Sequence, residues 1–376
     1  MSTMLSGCNS RGSGRIVTAP PRLIRWPRIG QTAAITARKI TRLPAFLMSK
    51  AAPVLTFAAL LCATQPSPAQ FIEQGPKLVL SAAGAAEQGQ AVALSADGNT
   101  AILGGPADGA SGAAWIWTRS AGVWTLQAKL VGTGAVGNAQ QGYSVALSGD
   151  GNTAVVGGPF DIYNGSVGVG AVWVFTRSGG VWTQQGTKLV GVDLCSCHWD
   201  QGSSVALSGD GNTVIIGARF ATFVFTRSEG LWTQQGPPLS FYADLNSVAL
   251  SSDGNTAIVG DADMQGRGGV FVLTRAGSVW TQQAALAGTG GVGFPLQISV
   301  ALSSDGNTAI FGNPGDNSNT GATWVFTRSG GVWTQQGNKL VGTGAVGSAQ
   351  QGFSVALSGD GNTPSCATPA AMWGCG

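Results

Sequence analysis

The chain has 376 residues, 59 of them Gly and 12 Trp, with 43 % hydrophobic and only 10 % charged side chains. That apolar content excludes a largely disordered chain, and the abundance of Gly and Trp points to many short strands joined by tight turns. The formal charge of +3 arises at one end, since residues 1–50 hold nine Lys or Arg and no acid, leaving 11 basic residues against all 17 acidic ones; a mildly acidic body excludes a nucleic-acid binder.

Taken in chain order, residues 1–47 are Arg-rich and acid-free. They read as a basic extension, either a transit-type segment or a misassigned start, and translation from Met48 is the simpler account. Residues 48–69 read as a secretion signal: Lys50 supplies the positive n-region, Val54 to Ala63 the apolar h-region, and Ser67-Pro68-Ala69 the small residues before cleavage. The apolar run is too short to span a bilayer. Leu61 stands before Cys62 where a lipoprotein anchor calls for a small residue, which disfavours lipidation. The expectation is a secreted or extracytoplasmic protein beginning at Gln70.

From residue 70 onward internal repetition dominates. Six segments match: AVALSADGNTA from Ala91, SVALSGDGNTA from Ser144, SVALSGDGNTV from Ser204, SVALSSDGNTA from Ser247 and from Ser299, and SVALSGDGNTP from Ser354. A second block alternates with them: AAWIWTRSAGVWTLQ from Ala113, AVWVFTRSGGVWTQQ from Ala171, ATFVFTRSEGLWTQQ from Ala221, GVFVLTRAGSVWTQQ from Gly269 and ATWVFTRSGGVWTQQ from Ala322.

Each period divides into four strands. In the second unit, Tyr143 to Ser148 is the first, and Asp150-Gly151-Asn152 is a tight hairpin turn. Thr153 to Gly158 is the second strand, followed by a variable loop. Ala171 to Arg177 is the third, Gly179-Gly180 the next turn, and Val181 to Val190 the fourth. Runs such as Val-Trp-Val-Phe are apolar on both faces of the pleat and demand a sheet covered on both sides. A four-stranded unit packed between copies of itself is a propeller blade, so the fold class expected is an all-β propeller with Trp and Phe between blades.

Five units are complete and a sixth supplies two strands. Phe71 to Leu80 resembles a stray fourth strand. Pro364 and Pro369 would stop the sixth unit, and residues 364–376 form an irregular tail. The expected open edges at 71–80 and 353–358 invite self-association.

These residues resemble the FG-GAP repeat family, the propeller repeats also seen at the head of integrin α chains. Gly142-Tyr143-Ser144 and Gly352-Phe353-Ser354 match its opening, Gly157-Gly158-Pro159 its Gly-Ala-Pro segment, echoed by Gly104-Gly105-Pro106 and Gly312-Asn313-Pro314, and Gly170 to Phe175 its Gly-x-x-Tyr-Val-Phe-like strand. The resemblance covers about residues 71 to 363. It implies seven blades in integrin-like relatives, and many family members carry an Asp-x-Asp-x-Asp-Gly calcium loop. Here that loop is Ser-x-Asp-Gly-Asn-Thr, with one carboxylate each from Asp97, Asp150, Asp210, Asp253, Asp305 and Asp360. Hard cations need several oxygens from one loop, so calcium is disfavoured, no cofactor is expected, and these Asp are read as shaping their hairpins.

No catalytic, cofactor or metal residue is assigned. The turn is also similar to the Asp-box of sialidase propellers, but after cleavage Glu73, Glu87 and Glu229 are the only Glu and Tyr143, Tyr163 and Tyr242 the only Tyr, a poor supply for glycoside hydrolysis. Arg119, Arg177, Arg227, Arg275 and Arg328 share one blade position, which reads as a solvated hairpin end. Cys195, Cys197 and His198, beside Asp193 and Asp200, are the one irregular cluster able to hold a soft metal; a variable loop with plain thiols is preferred. With Cys8, Cys62, Cys366 and Cys375 these Cys form no disulfide framework. The chain is therefore expected to be a non-catalytic binding or adhesion module for an extracellular protein or glycan. Its binding surface would comprise loops 106–112, 159–170, 261–268 and 313–321. A carbohydrate-active enzyme and a ligand-free structural protein are the alternatives.

Overall fold

A computed structural model describes residues 75–78, 87–165, 168–192, 200–240, 247–262, 264, 268–293, 295, 297–344 and 347–369, all within the compact unit Ile72–Gly376. The signal segment, the basic extension, most of the Phe71 to Leu80 segment, Asp193 and the Cys195-to-His198 cluster lie outside these residues.

Every repeat forms an antiparallel meander whose strand order in space is its order in sequence. Blade 1 comprises β1 (Val92–Leu94), β2 (Thr100–Gly105), β3 (Ala113–Ser120) and β4 (Val123–Leu130). Blade 2 comprises β5 (Ser144–Leu147), β6 (Thr153–Gly158), β7 (Ala171–Ser178) and β8 (Val181–Gln184). In blade 3, β9 (Ser204–Leu207), β10 (Thr213–Ala218), β11 (Ala221–Ser228) and β12 (Leu231–Gln234) are joined by the short β13 (Leu239–Ser240) on β11. Blade 4 is β14 (Val248–Leu250), β15 (Thr256–Asp261), β16 (Gly269–Ala276) and β17 (Val279–Leu286). Blade 5 is β18 (Ser299–Leu302), β19 (Thr308–Asn313), β20 (Ala322–Ser329) and β21 (Val332–Gln335). A sixth sheet has two described strands, β22 (Ser354–Leu357) and β23 (Pro364–Ala367).

The innermost strands β1, β5, β9, β14, β18 and β22 lie side by side in that order, the arrangement of propeller blades about an axis. A one-way hydrogen-bond ladder runs along their turns. Ala96 N–H donates to Gly149 C=O (2.9 Å), Gly149 to Gly209 (2.9 Å), Gly209 to Ser252 (2.8 Å), Ser252 to Ser304 (2.8 Å) and Ser304 to Gly359 (2.8 Å). Each of these residues precedes the turn Asp of its unit, so the ladder is written once per repeat.

The apolar clusters lie between blades. Ile102, Ile116 and Leu130 of blade 1 pack with Val145, Val156 and Trp173 of blade 2. Val155 and Val174 meet Ile216 and Phe223 of blade 3, Ile215 meets Val259 of blade 4, and Ile258 meets Phe311 and Trp324 of blade 5. All six residues of β6, β10 and β15 are buried, as their doubly apolar sequences require.

Two sequence expectations need correction. The fourth strand of blade 2 was expected to run to Val190, but it stops at Gln184. Gly186, at φ +73°, turns the chain out of the ladder, which resumes only as a bridge between Val172 and Leu189. In blade 4, where Gln-Gln-Ala-Ala replaces Gln-Gln-Gly-Thr-Lys, the strand continues to Leu286 through a bulge at Val272/Leu273. Second, Pro364 does not end the pairing: it lies opposite Leu357 as the first residue of β23, a position where a missing N–H is tolerated.

Candidate binding face

Meander topology gives the blades two unlike ends. One end carries the Asp-Gly-Asn turns and the turns joining third to fourth strands. The other carries the variable loops joining second to third strands and the connectors between blades.

At the turn end each Asp is enclosed by its own hairpin. Asp150 Oδ1 accepts from Ser148 Oγ (2.5 Å) and from Asn152 N–H (2.9 Å), Oδ2 accepts from Asn152 Nδ2 (3.0 Å), and Ser148 Oγ takes Thr153 N–H (2.9 Å). The same bonds recur at Asp97, Asp210, Asp253, Asp305 and Asp360. Gly151, at φ +68°, holds the left-handed position the turn requires. The Ser95 hydroxyl, then the N–H and side-chain amide of Asn99, pull Asp97 down to about 2. At Asp150, Asp210 and Asp253 burial pushes upward but is outweighed by Ser, Asn and Arg partners, and the acids end below their ordinary value. Ser and Asn hydrogen bonds likewise lower Asp305 and Asp360.

A carboxyl held low in the folded state contributes stability above its unfolded pKa and loses it as pH falls through the folded one. The melting temperature should therefore be level from about pH 7 to pH 5 and drop as pH falls below about 4, through the lowered values of the turn acids. Thermal melts across that range are the check, and a melting temperature that rises with acid would contradict the assignment.

Four of the five Arg, Arg177, Arg227, Arg275 and Arg328, are not solvated hairpin ends, as the sequence suggested, but staples between blades; Arg119 bonds Asn99 of its own turn. Arg227 Nε donates to Asn212 Oδ1 (2.9 Å) of its own turn, Nη1 to Gln185 Oε1 (2.9 Å) and Nη2 to Thr153 Oγ1 (3.3 Å) of the preceding blade. Its guanidinium lies 5.3 Å from the Trp232 ring centre, and the Trp232 indole N–H shares Gln185 Oε1 (3.1 Å). Arg177, Arg275 and Arg328 repeat the pattern on the pairs Thr100/Gln127, Thr213/Gln235 and Thr256/Gln283.

At the loop end, sequence reasoning named the loops but missed what holds them. Asp161, fully buried at the start of loop 159–170, pairs with Lys188, and its Oδ1 takes the N–H of Val136 in the connector from blade 1 (2.8 Å). Asp316 does the same with Lys339 and Val292 N–H, and Asp108 pairs with Lys129. In blade 4, Met264 and Ala285 occupy the Asp and Lys positions. The signal was present in the sequence as a paired presence or absence of two residues across repeats.

Gln141 and Gln201 clasp the connectors from the other side, each bonding both backbone groups of Gly132 and Gly191. On this fixed frame Val136, Phe160, Val192, Phe220 and Val292 stand 42–58 % exposed. Most of loop 261–268 lies outside the described residues. Among the described residues no group of three or more His, Cys, Asp or Glu could hold a metal, and no helix is long and apolar enough to cross a membrane.

Blades of four antiparallel strands, stacked inner strand to inner strand, make this an all-β repeat protein of the propeller class. Within that class, residues 124–175 match the family model of the FG-GAP repeat. That stretch runs from β4 into β7, so the sequence repeat straddles two blades. No curated protein matches the chain. Among solved structures, it is similar to a candidate 6-phosphogluconolactonase from Bacteroides uniformis at 14 % identity and TM-score 0.53, with 74 % of this chain and 78 % of that one covered. It is also similar to the Kuenenia stuttgartiensis hydrazine synthase at 11 % identity and TM-score 0.51, with 78 % and 77 % covered. These likenesses are of fold.

Proposed function

We propose that the chain is a secreted, non-catalytic binding module that takes an extracellular protein or glycan on its loop face and needs no metal to do so. The observation that supports this most is apolar side chains left open on loops anchored by buried ion pairs: Phe160, 42 % exposed, directly precedes fully buried Asp161. Rigid, pre-set loops with exposed aromatics bind at low entropic cost. Exported chain, first sequenced to confirm its start at Gln70, is applied to glycan and extracellular-protein arrays. A hit that Phe160→Ala weakens about tenfold, and that a chelator leaves unchanged, supports the reading. A sugar lactone is included because the Bacteroides uniformis relative is described as a lactonase; its turnover by the chain would replace the binding role with an enzymatic one.

A further inference from the structure

Asn is a chemically labile side chain, and the fold treats its Asn residues in opposite ways. Asn99, Asn152, Asn212, Asn255, Asn307 and Asn362 sit in the repeated turns with their reactive groups engaged. Each Nδ2 donates to the turn Asp, and Oδ1 of the first five accepts from an Arg. The N–H of the Thr that follows each of them donates to a turn Ser hydroxyl (2.9 Å). Asn164 is the reverse case. It is the one Asn in the sequence followed by Gly. Asn164 and Gly165 stand exposed at the tip of loop 159–170, at φ +49° and +78°, the left-handed pair of an Asn-Gly corner. Among the described residues no hydrogen bond engages either of them. A Cβ at Gly165 would meet nothing within 4 Å, so the space about its backbone nitrogen is open. Below the tip the loop is fixed by the Asp161–Lys188 pair, by Gly170 N–H on Asp161 C=O (3.0 Å) and by Ile162 N–H on Val136 C=O (3.1 Å).

We propose that Asn164 is a self-modification site, at which the Gly165 backbone displaces the side-chain amide and water then leaves a carboxylate on the loop face. The Gly165 nitrogen bonds to Asn164 Cγ, the Cγ–Nδ2 bond breaks, and the amide leaves as ammonia with the Gly165 proton. A cyclic imide results. Water opens it at either carbonyl. Attack at Cγ gives an aspartyl residue, and attack at the main-chain carbon gives an isoaspartyl one, whose chain runs through the side-chain carbon. Nothing is oxidised or reduced, and water is the co-reactant. Gly at 165 matters because a side chain there would crowd the attacking nitrogen. In the repeated turns that nitrogen belongs to a β-branched Thr and is already bonded, and the amide it would attack is held on both sides. The fold accommodates the product, since the anchors lie below the tip and the space around the tip is open. A neutral tip becomes anionic close to the Asp161–Lys188 pair. The chemistry requires no ligand, so it goes beyond the proposed binding role, whose face it recharges.

The test ages the purified full chain, folded and in urea, in mildly alkaline buffer and follows it by peptide mass mapping. Trypsin cuts after Lys129 and Arg177, so one peptide, residues 130–177, carries Asn138, Asn152 and Asn164 together. Fragmentation should place a gain of about 1 Da on residue 164, as a mixture of aspartyl and isoaspartyl forms, with a matching acidic species on isoelectric focusing. In the folded chain Asn152 should convert at least about tenfold more slowly than Asn164, since its bonds to Asp150 and Arg177 must first break. Asn164 should convert at a rate close to that in urea, whereas Asn152 should gain speed on unfolding. Asn164→Gln, whose longer side chain closes the ring poorly, should abolish the acidic species, and Gly165→Ala should slow its appearance. Conversion of Asn152 as fast as Asn164 in the folded chain overturns the site. So does an Asn164 that converts in urea but not in the folded chain, or an acidic species that persists in Asn164→Gln.

Discussion

Trp173→Ala should destabilise the protein by about 3–5 kcal/mol, lowering the melting temperature by roughly 5–10 °C. Trp173 is fully buried between blades 1 and 2, and its indole N–H donates to the Thr133 carbonyl of the preceding connector (2.9 Å). Removing it leaves both a cavity and an unpaired carbonyl. Gly132 lies against the ring so closely that a Cβ would collide with it, so the gap cannot be closed by a side chain already there. Trp173→Phe should restore more than half of the loss, because Phe223 and Phe271 fill the equivalent place in blades 3 and 4. Thermal or denaturant unfolding of the two variants decides between volume and hydrogen bond. Equal losses for Ala and Phe would assign the effect to the indole N–H.

Lys188→Ala should cost about 3–5 kcal/mol, since it strands the fully buried carboxylate of Asp161 without its cation. The double change Asp161→Met with Lys188→Ala should recover most of that, to within about 1–2 kcal/mol of the parent. Blade 4 already carries this apolar solution, Met264 with Ala285, and Met264 is 7 % exposed. A double variant no better than Lys188→Ala would show that the Asp161 bond to Val136 N–H, rather than the charge balance, holds the loop.

The blades were legible because each repeat states them independently. The doubly apolar β6 and the Asp-Gly and Gly-Gly turns fix hairpin positions by local sterics, and Thr153 to Gly158 appears in the structure with the ends its sequence suggests. The Arg staples were not legible. Arg177 looks like any charged residue at a strand end until Gln127, 50 residues earlier, is brought beside it by blade stacking. The loop anchors failed for the same reason: Asp161 and Lys188 are joined by tertiary packing, and one repeat alone gives no sign of it. The variable loops were found by their irregularity, which marks where recognition is placed but not what is recognised.

The offset between sequence repeat and blade has a consequence for how such arrays grow. The matched stretch contributes the outer strand of one blade and the inner three of the next, so a unit duplicated or deleted in that frame carries both halves of a joint. The joints specify which neighbour follows and in what direction, through a ladder that always donates forward. They say nothing of how many neighbours there are. Blade number in this architecture is accordingly a matter of angle, accumulated wedge by wedge, and gain or loss of whole units alters circumference while leaving every internal contact as it was.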